Sequence, residues 1–311
     1  MIYTLTLNPA IDLFIKTKMM KPNFVNRTES YDVQANGKGV NVSFILHRLG
    51  VENIALGVGG GFTLDYISSF LTDNGIKNEF FRVKEFTRIN VFTRVEETGD
   101  EFKLVNPGPH VSAETLRCLW TRLESLTGHD WLCVSGSFAK GIDPSILVEI
   151  AKLSQRNGFK LIIDSSYPTV KETFKYHPFL IKPNDVELAE WYNYQTHSIS
   201  DIEKLAKRAL NEGAQNVLVS LGESGALFMN QEKMLLSNAP KINVLNTAGA
   251  GDSMLGTFIA GLHVGLDLKQ NLINSVIAGS DTARSSWLTE FDHTDDLESQ
   301  IAVTEVQTPI F

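Results

Sequence analysis

Between residues 131 and 220 short apolar, β-prone runs alternate with segments of helical periodicity. The runs cover 131–134, 161–163, 179–181 and 217–220, and the helical segments cover 144–156, 169–174, 185–192 and 200–211. A strand followed repeatedly by a helix leaves the parallel βαβ crossover as the simplest connection. Such a sheet needs helices on both faces, which accounts for strands that are apolar throughout rather than on alternate residues. The pattern predicts an α/β domain with a mainly parallel sheet between two helical layers.

The remainder of the chain extends that sheet and adds a second one. Residues 1–7 read as a strand stopped by Asn8-Pro9. A helix carrying Val42, Ile45, Leu46 and Leu49 opens at 37–41, a strand follows at 53–58, and a helix at 63–74. A helix over 113–126, a hairpin over 225–236 and helices over 252–265 and 268–285 complete the expectation; the charged tail after Ser286 shows no clear element. Strands at 12–18, 28–35, 88–96 and 101–106 carry polar faces unsuited to a buried parallel sheet, and Thr98-Gly99-Asp100 supplies a hairpin turn. They are expected to pair as a small β lid from 9–36 and 85–105, standing off a core of 1–8, 37–84 and 106–311.

Bulk properties narrow the function classes. The chain has 311 residues and a formal net charge of -8, which argues against nucleic acid or a membrane surface as the main partner. Two cysteines, Cys118 and Cys133, do not make a disulfide framework, and the N-terminus lacks a signal-like segment. A cytoplasmic location is expected.

Chemistry is concentrated where strands end and helices begin. Gly249, Ala250, Gly251 and Asp252 lead directly into the last apolar helical segments. Small residues let backbone N–H groups approach a phosphate, and a helix N-terminus favours negative charge. A carboxylate is out of place in simple anion binding, but suits removal of a proton from a hydroxyl attacking a phosphoryl group. The rival reading of Asp252 is a helix cap. Gly37, Lys38, Gly39 and Asn41 form a second glycine-lined helix start that lacks the P-loop spacing and suits hydroxyls or phosphate on a small ligand. Asp12, beyond the first strand, can accept two sugar hydroxyls. Arg88 opens a lid strand and suits a substrate phosphate. Ser135-Gly136-Ser137 follows a strand, again at a carboxyl end, and Ser137 is expected to bind substrate; no hydrolase signature surrounds it. Asn184 and Glu187 share one face of a helix start, where they could orient magnesium through its waters or simply cap the helix. Ser220, Gly222, Glu223, Ser224 and Gly225 follow a strand and could border a nucleotide.

Taken together, these stretches resemble the ribokinase-like (PfkB) carbohydrate kinases over essentially the whole chain, with the 37–41 and 246–254 signatures in the family's order. The resemblance implies a ribokinase-like three-layer α/β/α sandwich with a β-sheet lid, ATP and Mg2+ as cofactors, Asp252 as catalytic base, and Gly249, Ala250 and Gly251 as the anion hole. It implies that Asn184 and Glu187 serve the magnesium–phosphate region, and that Ser220 and Gly222–Gly225 line the ATP site. Asp12, Gly37, Lys38, Gly39 and Asn41 would hold the sugar. Residues 6–12, 61–63, 87–90, 106–109 and Asn246 look like the hexose-phosphate branch, most of all the bacterial 1-phosphofructokinases, with tagatose-6-phosphate kinase as near neighbour. The implied reaction is phosphorylation of fructose 1-phosphate to fructose 1,6-bisphosphate. Alternatives are tagatose 6-phosphate, an unphosphorylated sugar or nucleoside, and a non-catalytic sugar-phosphate sensor. Three departures stand out: Asn36 where the branch usually has glycine, 135–141 without the usual paired prolines, and Ala248 for a common valine. The exposed faces of a lid sheet also lead to the expectation of a homodimer.

Overall fold

A computed structural model describes residues 1–306. The strands run β1 (Ile2–Thr6), β2 (Ala10–Thr17), β3 (Ser30–Asn36), β4 (Asn53–Gly59), β5 (Lys77–Arg82), β6 (Arg88–Val95), β7 (Glu101–Leu104), β8 (Trp131–Ser135), β9 (Lys160–Asp164), β10 (Leu180–Ile181), β11 (Asn216–Ser220), β12 (Ala226–Asn230), β13 (Met234–Ser237) and β14 (Val303–Val306). The helices are α1 (Lys38–Arg48), α2 (Gly61–Asp73), α3 (Ala113–Glu124), α4 (Ile146–Asn157), α5 (Asp185–Trp191), α6 (Ile199–Asn211), α7 (Ala250–Val264), α8 (Leu268–Arg284) and α9 (Asp295–Glu298).

Ten strands form the main sheet in the order β14-β13-β12-β11-β10-β9-β8-β1-β4-β5. From β5 to β11 all neighbours are parallel, and β12, β13 and β14 add an antiparallel edge. Strand alternation divides the core into two layers. Tyr3, Leu5, Leu132, Val134, Leu161 and Ile163 pack with residues of α3, α4, α5 and α6. Ile2, Trp131, Cys133, Ile162 and Phe228 pack with residues of α1, α7 and α8. This is the expected three-layer sandwich, and Cys133 is a fully buried thiol within it.

The chain builds outward from β1 in both directions: β4 and β5 lie on one side, β8 through β11 on the other. Such a reversal opens a crevice at the carboxyl ends of the strands. The small sheet, in the order β3-β2-β6-β7, rises beside that crevice. Its register puts Asp12 opposite Gln34 on one side and Asn90 on the other, and Ala10 opposite Asn36 and Arg88. Period-two alternation therefore gathers Asp12, Asn36, Arg88 and Asn90 on one face. The other face places Ile11, Ala35 and Ile89 against Phe44, Ile45 and Ile67 of α1 and α2.

Local chemistry sets the element boundaries. Ser112 caps α3 by accepting from the Thr115 N–H, and Asp267 caps α8 by accepting from Lys269 and Gln270. Three details differ from the sequence expectation. The segment near 169–174 is a 3-10 helix over Pro168–Tyr176, β10 has only two residues, and the tail beyond Ser286 contributes α9 and the edge strand β14.

Candidate active site

Three helix N-termini, those of α1, α5 and α7, meet the strand ends in a cleft of about 400 Å³. Its walls include Asp12, Asn36, Gly37, Lys38, Asn41 and Arg88 from the small sheet and α1. Lys182 and Ser220 come from the ends of β10 and β11, Asn184 and Glu187 from the start of α5, and Gly249, Gly251 and Asp252 from the start of α7.

The start of α7 depends on glycine. Gly249 is the N-cap residue with φ 79, a left-handed conformation. A Cβ there would lie 2.6 Å from Leu288 Cδ2. The first i→i-4 bond of the helix is from Ser253 to Gly249, so the Gly251 and Asp252 N–H groups precede any helical acceptor. The Ala250 N–H instead reaches the Thr247 carbonyl at 3.3 Å. Gly251 is also a close-approach position, since a Cβ on it would stand 3.3 Å from Lys182 Nζ. A buried ammonium thus sits directly at the helix start.

Asp252 is buried, and its Oδ2 accepts from Asn41 Nδ2 at 2.8 Å. Burial is the main influence on its carboxyl, which is pushed up to about 6 despite the opposing Lys38 charge. Asp164 explains why the lysines do not win: Lys38 and Lys182 both point at Asp164 Oδ1, at 3.1 and 3.4 Å. Burial would raise Asp164, but these two ammonium groups hold it below the usual carboxylate range. Lys38 in turn is raised, chiefly by Asp164.

Asp12 forms the other pole of the cleft. Its Oδ1 accepts from Asn90 Nδ2 at 2.7 Å and its Oδ2 from Asn36 Nδ2 at 2.6 Å. Burial raises this carboxyl too, against the pull of those bonds and of Arg88. Arg88 donates to the carbonyls of Asn8 and Asn106 at 3.0 and 3.3 Å. Its Nε, together with Asn41 Oδ1 and Asp164 Oδ2, is buried without a protein partner. Arg88 and Asn41 line the cleft, so their unpaired atoms mark places for ligand groups or water, whereas Asp164 is fully buried outside that lining.

The remaining expected residues differ in what holds them in place. Gly37, with φ 136, and Gly39 are explained at least by packing: a Cβ on Gly37 would lie 2.7 Å from Thr6 Cγ2, and one on Gly39 2.5 Å from Thr6 Oγ1. Asn184 and Glu187 form a reciprocal capping box on α5, with bonds of 2.7 and 2.9 Å. That box leaves Asn184 Nδ2 and Glu187 Oε1 free to face the cleft. Ser220 lines the cleft, whereas Gly222, Glu223 and Ser224 make an exposed 3-10 turn just beyond it, closed by Gly225 at φ 101. Ser137 is exposed and accepts from Asn8 Nδ2 at 3.2 Å.

Sequence reasoning missed Asn36, Asn90, Asp164 and Lys182 as site residues. Asp164 and Lys182 sit at or just past strand ends, the positions where an open parallel sheet collects ligands. Asn90 is two residues from Arg88 and so shares its face of β6.

A glycine-started helix bearing a buried carboxylate, facing a carboxylate–amide set across a sheet reversal, defines a class: small-molecule phosphotransferases of ribokinase-like fold. Residues 5–286 match the family described as pfkB family carbohydrate kinase. The chain is 39% identical to a D-tagatose-1-phosphate kinase of Bacillus licheniformis, over 98% of this chain and 100% of the relative. It is 36% identical to a 1-phosphofructokinase of Borreliella burgdorferi, over 99% and 100%. Among solved structures, phosphofructokinase-2 from Escherichia coli in complex with fructose-6-phosphate superposes with a TM-score of 0.87 at 29% identity, covering 96% of this chain and 98% of that one. The tetrameric inhibited form of the same enzyme gives 0.84 at 30% identity, covering 91% and 93%. The chain belongs to the pfkB family of carbohydrate kinases. It is a phosphotransferase acting on a sugar hydroxyl.

Proposed function

We propose that the chain is an ATP-dependent kinase of a ketohexose 1-phosphate, with fructose 1-phosphate converted to fructose 1,6-bisphosphate as the leading reaction. Tagatose 1-phosphate is an epimeric substrate of the same chemistry. The observation that carries the reading is the meeting of Asp252, at a glycine-started helix, with Asp12 across one cleft. The names of the relatives at 39% and 36% identity supply the sugar class.

In this reading Asp12 and its amide partners hold the sugar hydroxyls, and the Arg88 guanidinium holds the sugar's own phosphate. Asp252 accepts the proton of the attacking hydroxyl. Its elevated carboxyl is matched to the task, being ionised at pH 7–8 yet far more basic than a free aspartate. The Gly251 and Asp252 N–H groups and the Lys182 ammonium stabilise charge on the transferring phosphoryl group. The small sheet acts as a lid that excludes water and so suppresses hydrolysis of ATP. The Ser220–Gly225 turn borders the nucleotide.

Among the described residues no three His, Cys, Asp or Glu side chains converge as a protein metal cage would. Magnesium suits such a site, because it keeps its waters and is held largely by substrate phosphates. The free Oε1 of Glu187 is a hard donor of the required type, so Glu187 and Asn184 would hold the hydrated ion. Bound with the nucleotide, magnesium neutralises charge on the β- and γ-phosphoryl oxygens.

The test is coupled ADP release with fructose 1-phosphate, tagatose 1-phosphate, fructose 6-phosphate, tagatose 6-phosphate and the free sugars. The ketohexose 1-phosphates are expected to give the highest kcat/KM. Preference for a free sugar would sink the substrate assignment, and binding with no ADP release from any sugar would make the chain a sensor.

The lid also supports a homodimer. Phe14 and Phe92 stack on its cleft-side face with centroids 5.0 Å apart, above a second hollow of about 470 Å³. Tyr31 and Phe102, both exposed, line the same hollow, and Leu104 is exposed elsewhere on the sheet. Apolar groups exposed in this way suit a second copy of the sheet. Sedimentation at assay concentration should give twice the 34.5 kDa chain mass; a monomer would refute the dimer. Among the described residues no helix is long and apolar enough to cross a membrane, and we place the enzyme in the cytoplasm.

A further inference from the structure

Asn36 lies between the two poles of the cleft and bonds toward both. Its Nδ2 donates to Asp12 Oδ2 at 2.6 Å. Its Oδ1 accepts from the Gly37 N–H at 2.5 Å and from Asn41 Nδ2 at 2.9 Å. Asn41 Nδ2 then spends its other hydrogen on Asp252 Oδ2, at 2.8 Å.

The direction of this relay is determined by its ends. A carboxylate only accepts and a backbone N–H only donates. Asn36 must therefore turn its nitrogen to Asp12 and its oxygen to Gly37. That oxygen in turn requires the nitrogen of Asn41, which leaves this amide oriented as a donor to Asp252. Without Asn36, Asn41 keeps only Asp252 as an anchor, and nothing in the relay prevents its amide from rotating.

We propose that Asn36 is a positioning residue that couples the sugar-holding carboxylate Asp12 to the base Asp252 through the oriented amide of Asn41. The proposal rests on the kinase reading for the roles of the two carboxylates, but the coupling itself is a property of the free protein. The other charged groups facing Asp252 are Lys38 of α1, Asp164 of β9 and Lys182 beyond β10; Arg88 faces Asp12. None of them bonds to Asn36, so a change at Asn36 reaches Asp252 by way of Asn41.

Two substitutions separate this role from simple packing. Asn36→Gly removes both halves of the relay. Asn36→Asp keeps an acceptor for Gly37 and Asn41, but sets a carboxylate against Asp12 where a donor stood. Like-charged carboxyls at that separation share a proton. The Asn41 bond lowers Asp252, so its loss should raise Asp252.

The experiment is a ligand-free carboxyl carbon-13 NMR titration of Asp252 in the wild type and both variants, followed by pH profiles of kcat/KM. For Asn36→Gly, the Asp252 titration and the acid limb of kcat/KM should both move to higher pH, by about half a unit or more. KM for the sugar phosphate should rise about tenfold, the effect of losing one charge-assisted bond, with KM for ATP within about twofold. Asn36→Asp should raise the sugar-phosphate KM further while moving the Asp252 titration less. An Asp252 titration unmoved in Asn36→Gly overturns the proposal whether or not any sugar is turned over. So does an equal loss of kcat in both variants with KM and the acid limb unchanged, because that is the mark of a structural role. If the titration moves but the wild type phosphorylates no sugar phosphate, the coupling stands and the kinase reading falls.

Discussion

Asp252→Asn is expected to lower kcat by about 10²–10⁴-fold, the usual contribution of a positioned general base, with KM for sugar phosphate and ATP changed far less. An amide fills the same space and still offers an oxygen to Asn41 Nδ2, so the cleft geometry should survive. Only the proton acceptor is lost. The same substitution should make the protein more stable at pH 7–8. Burial raises Asp252 from 3.8 to about 6, so the folded state binds its proton more tightly than the unfolded chain does. The stabilisation from that proton is complete below about pH 4 and is lost as pH rises through 6. At pH 7–8 the wild type therefore carries an ionised, buried carboxylate that costs on the order of 1–3 kcal/mol. Asparagine carries no such cost. The thermal midpoint of the variant should exceed that of the wild type at pH 8 and converge with it near pH 4. Near wild-type turnover would remove Asp252 from the chemistry, and a variant less stable at pH 8 would contradict the account of its ionisation.

The main sheet was legible because fully buried strands announce themselves. Trp131–Ser135 and Lys160–Asp164 carry buried apolar runs followed by helical segments, a pattern few other folds accommodate. Val303–Val306 was not legible for the opposite reason. It is a short, largely exposed edge strand, specified by the neighbour it pairs with rather than by its own residues. At the site, glycine-led helix starts could be read because a tight turn needs particular residues. The Asp164–Lys182–Lys38 cluster could not. Its members lie up to 144 residues apart in the chain, and each alone looks like an ordinary strand-end or surface residue. Asn184 and Glu187 show the limit from another side. Their spacing carries both a cap and a cleft-facing carboxylate, and the fold gives them the cap geometry without removing them from the cleft.

Asp164→Asn should produce the largest loss of stability in the site. Asp164 is fully buried and is the shared counter-ion of Lys38 and Lys182, whose side chains are 37% and 4% exposed. Removing one member of a buried charge cluster leaves the others uncompensated, at a cost of about 3–5 kcal/mol. For a chain of this length that corresponds to a fall in thermal midpoint of roughly 5–8 °C. The pH dependence follows from the lowered Asp164 carboxyl. Its stabilising contribution is present above pH 3.8 and is lost as pH falls through its folded-state value, so the gap between variant and wild type should close in acid. Asp164→Asn with Lys182→Met should recover part of the lost stability, because the most deeply buried ammonium is then gone as well. Catalysis distinguishes this cluster from the Asn36 relay by sign. Asp164 repels the Asp252 charge and holds both lysines away from it. Without it Asp252 becomes more acidic, and the acid limb of kcat/KM should move to lower pH, opposite to the shift expected for Asn36→Gly. A base weakened in this way accepts a proton less readily, so kcat should fall even where Asp252 is fully ionised. An acid limb that moved upward would mean that Asp164 steadies the ionised form of Asp252, and the charge balance of the cleft floor would have to be drawn the other way.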